Sequence, residues 1–181
     1  FYRSTDRRAP HNVYGNTADF LAQFTDEVID LDPVFEFAPE GEDPSAVSEG
    51  SEASAVNVSF PSTSPNWTWS GDEWQRSEGS EEAVTTDEGR ITATNVLVLR
   101  VDVYNTEFTD PAGAPVPETE MIGSGEAVVA TGGHTITGTW SKDDAGSMIE
   151  LQTDDGDEIA LAPGNTWIEL VPASGSSVSI D

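Results

Sequence analysis

There is no cysteine among the 181 residues. That removes a disulfide framework, a thiolate nucleophile and any cysteine-built zinc or iron–sulfur site. Basic residues are nearly as scarce: Lys and Arg number 7 against 34 Asp and Glu, a formal net charge of -27, and Lys142 is the single lysine. Nucleic acids and anionic lipid headgroups are held by clusters of Lys and Arg that displace counter-ions, so neither a nucleic-acid partner nor electrostatic docking on a membrane surface is expected. Histidine occurs only at His11 and His134. The G-x-S-x-G, H-E-x-x-H, P-loop and complete G-x-G-x-x-G patterns are all missing. No catalytic residue is assigned on this reading, and neither a cofactor nor a metal is expected. No apolar run approaches the ~18 to 20 residues that a membrane-spanning helix needs, so the chain reads as soluble, with any anchor upstream of Phe1.

Leucine is also rare, at 7 residues, whereas Val, Ile and Thr number 16, 8 and 18. That balance suits pleated, half-buried surfaces. The expected fold is mainly β (α+β), an antiparallel meander or barrel-like sheet with one N-terminal amphipathic helix. Residues 1–37 read as an arm and helix: from the N-cap candidates Asn16 and Thr17, apolar residues recur at helical spacing until Pro33. Residues 38–54 carry five carboxylates and one aliphatic beyond alanine, Val47. They read as an acidic, flexible linker or loop, because so little apolar area cannot offset ordering entropy. Residues 55–172 read as the antiparallel β domain. Hairpins are expected at Gly132-Gly133 and Asp155-Gly156, and a last strand at Thr166–Val171. Pro111, Pro115 and Pro117 predict a protruding loop between Asn105 and Glu120. Residues 173–181 read as a frayed tail.

Candidate binding residues fall into two groups. Arg3, Arg7 and Arg8 hold three of the seven basic residues within the first eight positions, followed by His11 and Asn12. Arg7, Arg8, His11 and Asn12 can bind an anion or dock on an acidic partner, or they can satisfy one another as a local polar knot. Trp67, Trp69 and Trp74 form the second group. Trp67 and Trp69 share one face of a strand, which can be a platform for sugar rings or a peptide, or, in a leucine-poor domain, the core itself. The core is preferred. Asp154, Asp155, Asp157 and Glu158 offer oxygen ligands for calcium, but their spacing is not that of an EF-hand and Asp155-Gly156 is already accounted for as a turn.

Several blocks occur in a consistent order: Phe1-Tyr-Arg3, Arg8-Ala-Pro-His-Asn12, Trp67-x-Trp69 with Trp74 and Arg76, Asn95-Val96, Gly123-Ser-Gly-Glu-Ala127, Gly138-Thr-Trp-Ser-Lys142 and Ala162-Pro-Gly-Asn-Thr-Trp-Ile168. Taken together they resemble the YerB-like bacterial lipoprotein family. The resemblance implies an extracytoplasmic, cell-envelope protein, membrane-anchored through an upstream lipid, in which this chain is the C-terminal domain of unknown function. The expected function is therefore a non-catalytic envelope domain that binds or assembles with a missing N-terminal domain or another protein. The alternative is a glycan-binding or glycan-processing protein using the tryptophan face and carboxylates.

Overall fold

The computed structural model describes residues 1–24, 33–86 and 89–181, and the chain divides into two compact units, residues 1–33 and 34–181. In the first unit, β1 (Tyr2–Arg3) pairs antiparallel with β2 (Val13–Tyr14), and the Tyr2 and Tyr14 rings stack 5.9 Å apart. Asn16 caps α1 (Thr17–Leu21), its side chain accepting from the Ala18 amide at 2.9 Å. That satisfies one of the donors a helix start leaves free. A 3-10 turn follows at Ala22–Phe24. The helix expected to run to Pro33 is thus five residues of α-helix that tighten at once, and residues 25–32 of that expectation lie outside the described residues. None of the five is buried; Phe20 meets Phe1 with ring centroids 5.2 Å apart.

The second unit begins with α2 (Ser45–Glu49), β3 (Ser51–Glu52), β4 (Ala55–Ser59), β5 (Pro65–Trp69), β6 (Trp74–Glu78), β7 (Glu81–Glu82) and β8 (Thr92–Ala93). It continues with β9 (Asn95–Thr109), β10 (Pro115–Glu120), β11 (Gly123–Thr131), β12 (His134–Lys142), β13 (Glu150–Gln152), β14 (Thr166–Pro172) and β15 (Ser177–Ile180). The fold is mainly β, 49% strand and 7% helix, and includes a curled half-barrel. One sheet runs β10-β9-β11-β12-β13, with β14 also on β9 and β3 on β12; the other runs β15-β4-β5-β6-β7, with β8 on β6.

β9 organises the unit. Its first five residues, Asn95 to Leu99, are all buried, because both faces of the strand are covered and both edges are paired. Leu97, Leu99 and Val101 enter one core with Val129, Trp140 and Leu161, while Val96 and Val98 enter a second with Val56, Trp67 and Trp74. The glycine turn between β11 and β12 forms as expected, with φ of 59° at Gly132 and 74° at Gly133. Gly156, at φ 88°, lies in the second expected turn, where Gln152 bridges Glu158. A simple meander does not result: β14 lies parallel to β9, from Thr166 opposite Asn95 to Pro172 opposite Val101.

Three expectations are corrected. Residues 38–54 are packed rather than solvated: Ala38, Ala46 and Ala53 are buried, the Ala53 amide donates to the Gly133 carbonyl at 2.8 Å, and the Ser45 amide donates to the Ala160 carbonyl at 3.1 Å while the Ser45 hydroxyl accepts from the Ala160 amide at 2.9 Å. Alanines supply the contacts that a count of large aliphatics overlooks, and the carboxylates stay outside. Residues 105–120 form a two-stranded hairpin, not a loop. Among the described residues β10 pairs only with β9, and its register is irregular between Pro115 and Pro117, an arrangement in which an edge strand tolerates proline. Finally, the tail is a strand: β15 pairs with β4, Asp181 and Ala55 exchange backbone bonds at 3.0 and 3.2 Å, and Val178 packs against the second core.

Candidate functional site

The tryptophans come first, because their exposure separates a platform from a core. Trp67 and Trp74 are completely buried, so neither can stack on a ligand from solvent. Trp69 is half-buried; its ring meets Trp74 at 5.4 Å and covers the turn where a Cβ on Gly133 would fall 2.6 Å from the Trp69 Nε1. The Trp67 indole N–H donates to Glu169 Oε1 at 3.1 Å, and Arg76 Nε lies 3.7 Å from the same oxygen, an ion-pair distance beyond a hydrogen bond. Arg76 also reaches Glu78 at 3.1 Å and stacks 5.2 Å over the Trp167 ring. This joins β5 and β6 of one sheet to β14 of the other. A buried carboxylate survives there because a cation and an indole donor face it.

The basic arm is open. Arg7, Arg8 and His11 are exposed, and Asn12 is half-buried, accepting from Arg3 Nη1 at 2.8 Å and donating to the Ser4 carbonyl at 3.1 Å. Asn12 therefore closes the β1–β2 turn, whereas Arg7 and Arg8 make no side-chain hydrogen bond or ion pair among the described residues. The structure brings Asn12 to Arg3, but not to His11 or the two arginines by any bond. Asp154, Asp155, Asp157 and Glu158 are all exposed around the Gly156 turn, and no group of three His, Asp or Glu side chains able to hold a metal occurs among the described residues.

Two surfaces escaped the sequence reading. The first is the β9–β10 hairpin, where Val103, Tyr104, Phe108 and Val116 are exposed at 41%, 47%, 67% and 39%. Tyr104 and Phe108 share one strand face by alternation. The tip is closed by Asp110, whose side chain accepts from the Ala112 and Ala114 amides at 2.8 and 2.9 Å. From 101 to 122 the chain carries five acidic residues and no basic one. Glu118 stands opposite Tyr104. Hydrogen bonding to Glu118, with slight desolvation and the charges of Glu118 and Glu120, pushes the Tyr104 phenol above its ordinary 10.0. A raised value means that this contact is complete below pH 10 and is lost as pH rises through the higher one. Glu118→Gln is accordingly expected to bring the Tyr104 ring titration down toward 10.0, read by carbon NMR of the ring; an unchanged midpoint would refute the contact.

The second surface is a groove of about 550 Å³ between β15 and one face of β11 and β12. Its floor is two rows of side chains: Glu126 opposite Thr139, and Val128 opposite Thr137 with Val98 beyond. Arg100 stands at one end, its Nη2 donating to the carbonyls of Ala173 at 2.9 Å and Ser176 at 3.3 Å. Its Nη1 and the Ser176 hydroxyl are buried without a hydrogen-bond partner among the described residues. Arg76 and Arg90 each pair with a carboxylate, and Arg100 pairs with none among the described residues. Nothing in the composition marks this place. The groove exists because residues from β9, β11, β12 and a strand read as a frayed tail meet there.

Residues 56–168 match a family described as "Protein of unknown function (DUF3048) C-terminal domain". No curated protein matches the chain. A solved structure described as the crystal structure of YerB protein from Bacillus subtilis is similar at a TM-score of 0.73 and 17% identity, the match covering 99% of this chain and 59% of that one. At that identity the likeness speaks for the fold, and this chain spans somewhat over half the length of the other.

Proposed function

We propose, for a chain that belongs to the DUF3048 C-terminal domain family, a non-catalytic docking role: it is an extracytoplasmic cell-envelope domain that assembles with a neighbouring domain or protein through the β9–β10 hairpin. The observation that carries this reading is the exposure of Tyr104 and Phe108 on a ribbon in which β9, from Asp102 to Thr109, pairs only with β10 among the described residues. Exposed apolar side chains rimmed by charge mark interaction sites more often than they serve the monomer. The five acids of the hairpin select a partner whose apolar cleft has a basic rim. The open arginines of the arm are a second contact of opposite sign. The envelope location and an upstream lipid anchor rest on the family resemblance. The glycan alternative loses its platform, since two of its three tryptophans are closed to solvent.

A photo-crosslinking amino acid at position 108 of the full-length protein, expressed in its own cells, tests the reading. A discrete protein adduct is expected, several-fold reduced by Tyr104→Ser, with no adduct from the exposed turn position Asp155. Equal labelling at both positions, or none at 108, would overturn it.

A further inference from the structure

The groove beside β15 has the properties of an unfilled strand position. Asp181 and Ala55 exchange both backbone bonds, so by alternation Ser179 and Ser177 also face β4, while the N–H and C=O groups of Val178 and Ile180 point away from it. Among the described residues β15 ends its sheet, so these groups form a free edge. Beneath that edge the facing sheet continues uncovered. On one face of β12, Thr135 is buried whereas Thr137 and Thr139 are exposed, and their neighbours Glu126 and Val128 are exposed and half-buried. The second sheet is thus one strand too narrow for the face it covers. The opening, about 550 Å³, is of the size that holds a short peptide.

Charge identifies the occupant's ends. Arg100 presents an unpartnered N–H beside the unpartnered Ser176 hydroxyl at the Ser176 end of β15. A carboxylate satisfies both groups, and guanidinium is the side chain best shaped to receive one. Glu126 stands across from Arg100 on the neighbouring strand and so belongs to the carboxylate's end, whereas Asp154, which also lines the groove beyond β12, calls for a cation farther along the same ligand. We propose that the groove seats an extended peptide, which adds antiparallel to β15 as a further strand, sets its C-terminal carboxylate on Arg100 and Ser176, and directs a basic side chain to Asp154. Main-chain bonds to Val178 and Ile180 supply affinity and the two charged ends supply register. This surface is distinct from the β9–β10 hairpin, and the proposal does not depend on the docking role assigned there.

The test uses the full chain and the pentapeptide Lys-Thr-Val-Thr-Val as free acid and as C-terminal amide. Titration followed by amide NMR is expected to shift Val178 and Ile180, with the amide form bound about tenfold more weakly or worse, as a lost charged hydrogen bond implies. Arg100→Met should make the two forms equal. Because Arg100 also ties down Ala173 and Ser176 and its loss can unsettle the fold, Ile180→Pro is the second variant. It removes an outward N–H that the β4 ladder does not use, so it should keep the melting temperature and weaken the free acid about tenfold. Absence of binding, equal affinity of acid and amide for the native chain, or full binding by a folded Ile180→Pro protein would each overturn the proposal.

Discussion

Trp67→Ala is expected to destabilise the second unit by about 3–5 kcal/mol, the range for deleting a large aromatic from a core. For a unit of this size that lowers the melting temperature by roughly 10 °C. Two losses combine. The side chain is fully buried and packs on Trp167, with ring centroids 5.3 Å apart, and its indole N–H is the hydrogen-bond donor on Glu169. Removing it leaves a cavity between the sheets and a half-satisfied carboxylate beside Arg76. Trp69→Ala, at a half-buried position on the same strand, should cost about 1–2 kcal/mol, within the ordinary range for single substitutions. Urea melts of both variants separate core from platform. If Trp67→Ala melted like the native chain, the inter-sheet role of this indole would be wrong and a ligand role would return.

Asn95→Ala should cost about 2–4 kcal/mol, because it strands several buried partners at once. Asn95 is completely buried at the start of β9. Its Nδ2 donates to the Ala162 carbonyl at 2.8 Å and to Thr166 Oγ1 at 3.2 Å; its Oδ1 accepts from Thr131 Oγ1 at 2.7 Å and from the Ala162 amide at 3.1 Å. One side chain therefore joins β9, the end of β11 and the turn that leads into the parallel strand β14. Asn95→Asp should be no milder, since it turns a carboxylate oxygen toward the Ala162 carbonyl. Coupling with Thr131→Val, measured in a double-mutant cycle, should lie between about 0.5 and 3 kcal/mol, as for residues in one network. A value near zero would show that the four bonds do not act as a unit. Asn165 Oδ1 accepts in turn from the Thr94 amide at 2.9 Å, so the two asparagines of Asn95-Val96 and Ala162-Pro-Gly-Asn165 bracket the junction.

Much of the β character was legible because its causes are local. Alternation marks β4 and β5, a four-residue apolar run, Val96 to Leu99, marks the doubly covered start of β9, and paired glycines mark the β11–β12 turn, where positive φ is needed at both positions. The N-cap at Asn16 was legible for the same reason, whereas the 3-10 turn at Ala22–Phe24 carries no sequence mark. Residues 38–54 misled because composition counts bulk, whereas burial counts fit: an alanine in a narrow space is as well packed as a valine in a wide one. The tail misled because Ser177 and Ser179 look like loop residues until β4 takes up their backbone groups.

From the sequence alone came the strand-forming composition, the turn positions, the preference for tryptophan in the core and the strongly negative net charge; all of these depend on neighbours a few residues apart or on sums over the chain. Only the tertiary structure decided that β14 runs parallel to β9, that Glu169 lies between Trp67 and Arg76, that Tyr104 and Phe108 stand uncovered, and that Arg100 meets the Ser176 end of a free strand edge. Each of these contacts joins residues from 71 to 102 positions apart or depends on which face lacks a neighbour. Such pairings are chosen by the packing of the two sheets as a whole, and no local pattern of side chains encodes them.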